Sequence, residues 1–275
     1  MKIDLGCGTQ KNPGFIGIDK KDGPGVDIVC DILQGIPLPD DSADCLFAVH
    51  SLPYIDPLLD TMKEIYRICK HKAIVCIVAP YAHTYFHAAN PHYKSWFNEY
   101  SPFYFTGRLL RETYWRELIT PYAFPSHDMD REPPDYDFQL LRMEFFYSMP
   151  FKTNMYDEEE RTIVRHIQPN VVDEIMYHFL VVKQPLTVDE IEDMAMRSLE
   201  EPMQITNRRR ERPESGQQLD AGQLLEKAPS LNDTQPPVIH KRSSSKTKSS
   251  LRHKKTGMTK GRRMIKKQKA KNGTK

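Results

Sequence analysis

A mostly parallel α/β sheet is the fold class this sequence predicts, and three observations predict it. Short runs that are apolar nearly throughout recur along the first third of the chain, at residues 2–5, 15–18, 26–30, 44–49 and 73–79. Strands covered on both faces read this way, and such strands belong to parallel sheets. The runs alternate with loops or with an amphipathic helix, the pattern of an α/β layer. Several also close on a glycine or a polar residue: Gly6, Asp19, Asp31 and His50. Ligands of open α/β sheets bind outside the carboxyl ends of the strands, so these endings mark the candidate site.

The first run ends in the turn Gly6-Cys7-Gly8, where the lack of a Cβ lets backbone approach a ligand closely. The second closes on Asp19, placed to accept hydrogen bonds from a ribose diol. Only six residues lie between Gly8 and Phe15. A strand of about five residues spans roughly 17 Å at about 3.3 Å per residue, so a parallel return must be nearly extended. The usual crossover helix does not fit. A dinucleotide site needs that helix for its pyrophosphate and places its acid about 20 residues on. Asp19 comes 11 residues after Gly8, which disfavours a dinucleotide and suits a phosphate-free nucleoside cofactor. Residues 20–25 and 35–42 carry loop chemistry. Asp56 and Pro57 then suit the start of a helix. Its face carries Leu58, Leu59, Met62, Ile65, Tyr66 and Cys69.

Residues 81–124 change character, holding 14 of the 27 Phe, Trp and Tyr residues. This segment follows the fifth strand and is expected to form a lid and substrate wall, with residues 102–118 partly helical. The pair His83 and His87, with His92, invites a metal reading. No adjacent acid or cysteine pair supports it, so no metal site is expected. Residues 125–136 read as a loop, and 141–149 and 172–182 as strands. Nothing in the connection between those strands marks chemistry. Thr187 and Glu190 have capping-box spacing and open a short helix to about residue 201.

Charge divides the chain. Residues 205–275 carry 20 Lys/Arg against 5 Asp/Glu, and residues 1–204 carry 19 against 32. Residues 240–275 hold 15 Lys/Arg and no acid. Such a segment cannot bury enough apolar surface to offset its ordering entropy, so residues 205–275 are expected to form a disordered basic tail. Its charge suits non-specific nucleic-acid binding through residues 240–275. The five cysteines, Cys7, Cys30, Cys45, Cys69 and Cys76, lack metal-type spacing and read as buried thiols of a reducing compartment. No run approaches membrane-spanning length and no signal-peptide pattern opens the sequence. Cytoplasmic localisation is the expectation.

At this point the residues resemble a class I, Rossmann-like S-adenosylmethionine-dependent methyltransferase. Asp4-Leu5-Gly6-Cys7-Gly8-Thr9 resembles the family's first motif, and Ile18-Asp19 its ribose-holding acid. Asp31-Ile32 falls where the family reads adenine. Residues 44–49 resemble the fourth strand, and His50-Ser51-Leu52 begins like the segment lining the cofactor pocket. Tyr66-Arg67-Ile68 and the strand after it resemble the following helix and fifth strand. The resemblance covers residues 2–81 well and 140–183 weakly. Pro53-Tyr54 stands where the family's H-x-L-E-H version has an acid and a second histidine.

The resemblance implies S-adenosyl-L-methionine as cofactor and a seven-stranded sheet whose last strand, residues 172–182, is antiparallel. It implies cofactor contacts from Asp4, Gly6, Cys7, Gly8, Asp19, Asp31, Ile32 and His50, with Asp4 orienting the amino-acid end. His50, His83 and His92 are the candidates for a base. The expected organisation is a methyltransferase domain at 1–184, including an 81–140 aromatic insert, a helical segment at 185–204 and the tail. An unidentified methyl acceptor is the expected partner. The alternative is a non-catalytic module tethered to nucleic acid or a ribosome by the tail. With no helix between the first two strands, one sheet face lacks cover near residues 3–18. Residues 187–201, or a second copy in a homodimer, are expected to supply it.

Overall fold

A computed structural model of the 275-residue chain describes residues 1–106, 134–211 and 217–220. The parallel strands are β1 (Lys2–Leu5), β2 (Ile16–Asp19), β3 (Ile28–Val29), β4 (Ala43–Val49) and β5 (Cys69–Pro80). Strands β6 (Phe138–Tyr147), β7 (Val172–Val181) and β8 (Gln217–Asp220) complete one sheet of order β3-β2-β1-β4-β5-β7-β6-β8. β7 runs antiparallel to both β5 and β6, as expected for residues 172–182. The eighth strand was not foreseen. Residues 6–15 join β1 to β2 without a helix, as the short linker requires.

Five helices accompany the sheet among the described residues: α1 (Leu58–Ile68), α2 (Tyr85–Ala88), α3 (Glu158–Ile167), α4 (Val188–Ala195) and α5 (Met203–Glu211). Helix α1 starts at Leu58 with Pro57, not Asp56, in the N-cap position. It buries Thr61, Met62, Ile65 and Ile68, while Leu59 stays exposed. Helix α3 lies where the sequence reading found nothing. Asp157 and Glu160 form a capping box there, satisfying amides at both positions. Thr187 and Glu190 form the second capping box, as expected, and α4 ends at Ala195. Of residues 102–118, the described part holds only a 3-10 turn (Ser101–Tyr104), and the remainder lies outside the described residues.

The sheet has two unequal faces. On one, Ile3, Leu5, Leu46, Ala48, Val75, Ile77 and Tyr177 meet α1 in the larger core. Alternate positions project to the other face, where Phe15, Cys45, Phe47, Cys76, Val78, Phe146 and Met176 pack around Ile205 of α5. Ile205 is 2 % exposed. The missing crossover helix therefore finds its replacement within the chain. Within residues 187–201, Glu200 Oε2 lies 2.6 Å from Lys2 Nζ and the Ala195 carbonyl accepts from Arg142, while the apolar plug comes from α5. The uncovered face that motivated a homodimer is thus closed by the chain itself.

The expectation of a disordered tail from residue 205 is overturned for its first part. Residues 203–211 are helical and residues 217–220 are a strand. The error was one of averaging. The net charge of residues 205–275 is dominated by 240–275, whereas Arg208 and Arg209 are neutralised by acids of the sheet. Residues 240–275, on which the nucleic-acid reading rests, lie outside the described residues. Among the described residues no helix is long and apolar enough to cross a membrane.

On the α5 face of β7, His178 is fully buried with Nε2 3.1 Å from the Glu200 carbonyl oxygen. Burial pushes its pKa down to about 4, against the pull of that carbonyl. A folded value below the unfolded one means this stability is present above pH ~6.5 and is lost as pH falls toward 4. At about 1.4 kcal/mol per unit, roughly 3 kcal/mol disappears across that window. Urea midpoints measured from pH 7 to 4.5 are expected to fall accordingly. His178→Phe is expected to flatten the part of the decline that lies below pH 6.5.

Candidate functional site

The parallel strands place their carboxyl ends along one edge, and register aligns them. Leu5 pairs with Ile18, Asp19 with Val29, Asp4 with Phe47 and Val49 with Val78. Carried on by one residue, this register sets Gly6 level with Asp19, Val29 and Val49, and Cys7, Lys20, Cys30 and His50 follow one step further on. At β1, the Gly6 and Cys7 amides both donate to the Ile18 carbonyl, at 2.7 and 3.2 Å. This double bond set folds the turn back over β2. Gly6 has φ +72, and a Cβ added there would stand 2.2 Å from the Ser51 Cβ. Only glycine allows the turn and the segment that follows β4 to meet this closely.

Asp19 is locked in place by two amides. Gly8 N–H donates to Oδ2 at 2.9 Å and Lys21 N–H to Oδ1 at 2.9 Å. Each carboxylate oxygen has a further lone pair, so the orientation is fixed while accepting capacity remains. Cys7 is 8 % exposed, and its thiol is pushed up to about 11 by burial and by the charges of Asp4 and Asp19. It is a protonated packing group, and its backbone is the part offered to the edge. Asp31 caps a 3-10 turn (Ile32–Gln34), accepting from Leu33 N–H at 3.3 Å, and meets Lys20 Nζ at 2.8 Å. The Lys20 hydrogen bond, followed by the Leu33 amide, holds its carboxyl below the ordinary range. Asp31 is an ionised acceptor whose capping role and edge position coexist.

Asp4 faces away from the edge. It is 2 % exposed, on the α5 face, and its Oδ2 accepts from Asn12 N–H and Nδ2 at 2.7 and 2.8 Å. Burial raises its pKa, and the Asn12 bonds oppose that shift. Its visible work is to hold the β1–β2 linker.

At the end of β4, His50 adopts φ +54 and its amide donates to the Val78 carbonyl at 2.8 Å. Its Nε2 lies 2.7 Å from Oε1 of Glu174 on β7. Burial acts to raise the Glu174 pKa; the His50 hydrogen bond and the charges of His50, Arg208 and His87 outweigh it, leaving the carboxyl below its usual range. His87 on α2 faces the same group, and burial lowers its pKa. Glu174, His87 and Arg208 were missed as site residues. Glu174 sits inside an apolar strand, and only the antiparallel pairing that sets it beside Pro80 brings it to the edge.

His83 and His92 do not join His50. His83 is exposed and lines a cavity of about 410 Å³ with Tyr85, Arg165 and His166. His92 is exposed, and its amide bonds to Asn90 Oδ1 at 3.0 Å. The aromatic segment does border the edge. Lys94 and Ser95 amides both donate to the Pro53 carbonyl, at 2.7 and 3.1 Å. That strap sets Tyr93 5.0 Å from Tyr54 and 6.4 Å from Trp96, ring centre to ring centre. Among the described residues no group of three or more His, Cys, Asp or Glu is arranged to hold a metal.

Comparisons with known proteins concern this same segment. Residues 7–77 match the family model described as a methyltransferase domain. No curated protein matches the sequence. Among solved structures, the chain is similar to a SAM-dependent methyltransferase from Archaeoglobus fulgidus, at 16% identity and TM-score 0.40, over 65% of this chain and 85% of that one. It is also similar to a complex between the Haloferax volcanii Trm112 methyltransferase activator and a putative methyltransferase, at 14% identity and TM-score 0.39, over 68% and 83%. A third is a SAM-dependent methyltransferase from Thermotoga maritima, described as a possible histamine N-methyltransferase, at 12% identity and TM-score 0.35, over 65% and 81%. Residues 7–77 are thus similar to a methyltransferase domain, and they lie in a mostly parallel sheet of order β3-β2-β1-β4-β5-β7-β6-β8.

Proposed function

We propose that the chain transfers the methyl group of S-adenosylmethionine to a nucleophilic acceptor admitted beside His50 and the aromatic strap. The observation that supports this most is the bond from Gly8 N–H to Asp19 Oδ2 at 2.9 Å. It joins the glycine turn to the acid of the next strand and aims that acid along the edge. Bound there, the cofactor supplies an activated methyl on a sulfonium. The Gly6, Cys7 and Gly8 backbone would hold its amino-acid part and Asp19 would accept from the ribose hydroxyls. Asp31 would accept from the adenine amine, with the Ile32 amide toward the ring. Asp4 acts at one remove, by fixing the linker through Asn12. The acceptor lone pair would displace the sulfur at that methyl carbon, the carbon–sulfur electron pair leaving with sulfur. Such a displacement asks mainly for alignment and exclusion of water. An N–H or O–H acceptor also releases a proton. With Nε2 turned to Glu174, His50 has Nδ1 to receive it.

The test is calorimetry with S-adenosylmethionine and its demethylated product. Both are expected to bind the full chain. Asp19→Ala is expected to weaken both about 10- to 100-fold, the worth of charge-assisted bonds to a diol. Absence of binding by the unmodified chain, or an unchanged affinity in the variant, would sink the reading.

A further inference from the structure

We infer that α5 is a working part of the cofactor edge, with Arg208 positioning His50 through Glu174, and with the α5 amino end steadying the glycine turn through Asn12. The inference rests on the cofactor reading above and adds residues which no motif of that site contains.

Three contacts along nine residues carry it. At the start of α5, Met203 N–H donates to Asn12 Oδ1 at 2.6 Å, and Asn12 in turn holds Asp4 with both its amide groups. Asn12 is 2 % exposed and lies four residues after Gly8. Two residues on, Ile205 fills the apolar face between Phe15, Phe47 and Met176. Three residues later Arg208 pairs with Glu174 Oε2, while Glu174 Oε1 holds His50. Positions 205 and 208 share a helix face, so docking the plug delivers the guanidinium. Arg208 is held in that pose by Phe146, with the guanidinium carbon 4.9 Å from the ring centre, and by Asp173 at 3.6 Å. A single carboxylate thus spans a cation from the helix and the imidazole at the edge. The charged groups facing His50 are Glu174 from β7, His87 from α2 and, across Glu174, Arg208 from α5.

A guanidinium that shares the carboxylate lowers the negative potential felt by His50 and fixes the rotamer of Glu174. Removing it should free Glu174 to pair with His50 alone. The imidazole then becomes more basic and less constrained. Coupling through a shared partner is of the size seen for residues in one ion-pair network.

The experiment combines two readouts on the full chain. NMR titration of His50 without ligand is expected to show a higher pKa in Arg208→Met than in the unmodified chain. Calorimetry with the demethylated cofactor is expected to show about a tenfold loss of affinity in Arg208→Met, and a loss within about threefold in Arg208→Lys, which keeps a charge beside Glu174. In a Glu174→Gln background, Arg208→Met should add little to either readout. That variant also serves if Arg208→Met does not fold, since Glu174→Gln should itself lower the His50 pKa and weaken binding. An unchanged His50 titration and unchanged affinity in a folded Arg208→Met or Glu174→Gln protein would overturn the inference. A lowered melting temperature with neither readout moved assigns Arg208 to packing alone and overturns it equally. If the unmodified chain binds no cofactor, the functional reading fails instead, and the His50 titration still decides whether Arg208 positions it.

Discussion

Arg209→Met is expected to destabilise the folded chain by about 2–3 kcal/mol, because it takes the partner from a buried carboxylate while the arginine itself is partly exposed. Glu144 on β6 is 1 % exposed, and both its oxygens lie on Arg209, at 2.7 Å to Nη1 and 2.5 Å to Nη2. The same guanidinium reaches Glu201 through Nε and Nη2, each at 2.9 Å. Methionine preserves much of the apolar stem over Phe146 but leaves Glu144 without its counter-charge. Even with Arg209 present, burial raises the Glu144 pKa above its usual value, against the arginine's pull. Without Arg209 that value rises further. The sign follows. A carboxyl whose folded pKa exceeds the unfolded one contributes stability below the unfolded value of about 4.3 and loses it as pH rises. The defect should therefore be larger at pH 8 than at pH 5. Urea unfolding at the two pH values checks this, and a loss below about 1 kcal/mol at pH 8 would contradict it. Replacing both partners, Glu144→Leu with Arg209→Met, should recover most of the loss, because no buried charge is then left unpaired.

Gly6→Ala should abolish measurable cofactor binding and cost about 3 kcal/mol of stability, an effect at the upper end for one methyl group. Two penalties combine. The φ of +72 costs an L-residue about 1–2 kcal/mol. The added Cβ then stands 2.2 Å from the Ser51 Cβ and 3.1 Å from its Oγ, well inside contact distance. Relief requires the turn to flip or residues 50–51 to move away. Either route displaces a part of the edge, since His50 is fixed by its bond to Val78 and its own positive φ. Gly8→Ala is the control. Gly8 shares the positive φ, at +54, but an added Cβ meets nothing within 4 Å. It should cost only the backbone term, about 1–2 kcal/mol, and leave the Ser51 contact intact. Thermal unfolding and calorimetry with the demethylated cofactor separate the two variants. Equal effects on binding would show that the Ser51 clash is not what matters.

The sequence by itself determined the strand-end edge of this protein, and the reason is local. Gly6, Gly8, Asp19, Asp31 and His50 each stand at the end of a strand or within three residues of one, so strand periodicity and turn chemistry place them without knowledge of distant contacts. The absent crossover helix was legible too, because six residues between Gly8 and Phe15 leave no length for one. From that absence the need for cover on one sheet face also followed. What fills the gap was decided only by the tertiary structure. Helix α5 is polar along most of its length, with one buried isoleucine, and its arginines find acids on β6 and β7 that lie 34 to 65 residues earlier. Composition averaged over residues 205–275 hides such a segment among free charges. Asp157 with Glu160 was a readable helix start, passed over because the surrounding residues bury little. Glu174 was not readable at all. Its strand position is fixed by antiparallel pairing with β5, and its chemistry by His50 and Arg208 arriving from 124 residues before and 34 after. Local pattern sets the ends of the strands, while the charges that tune them come from chain brought together only on folding.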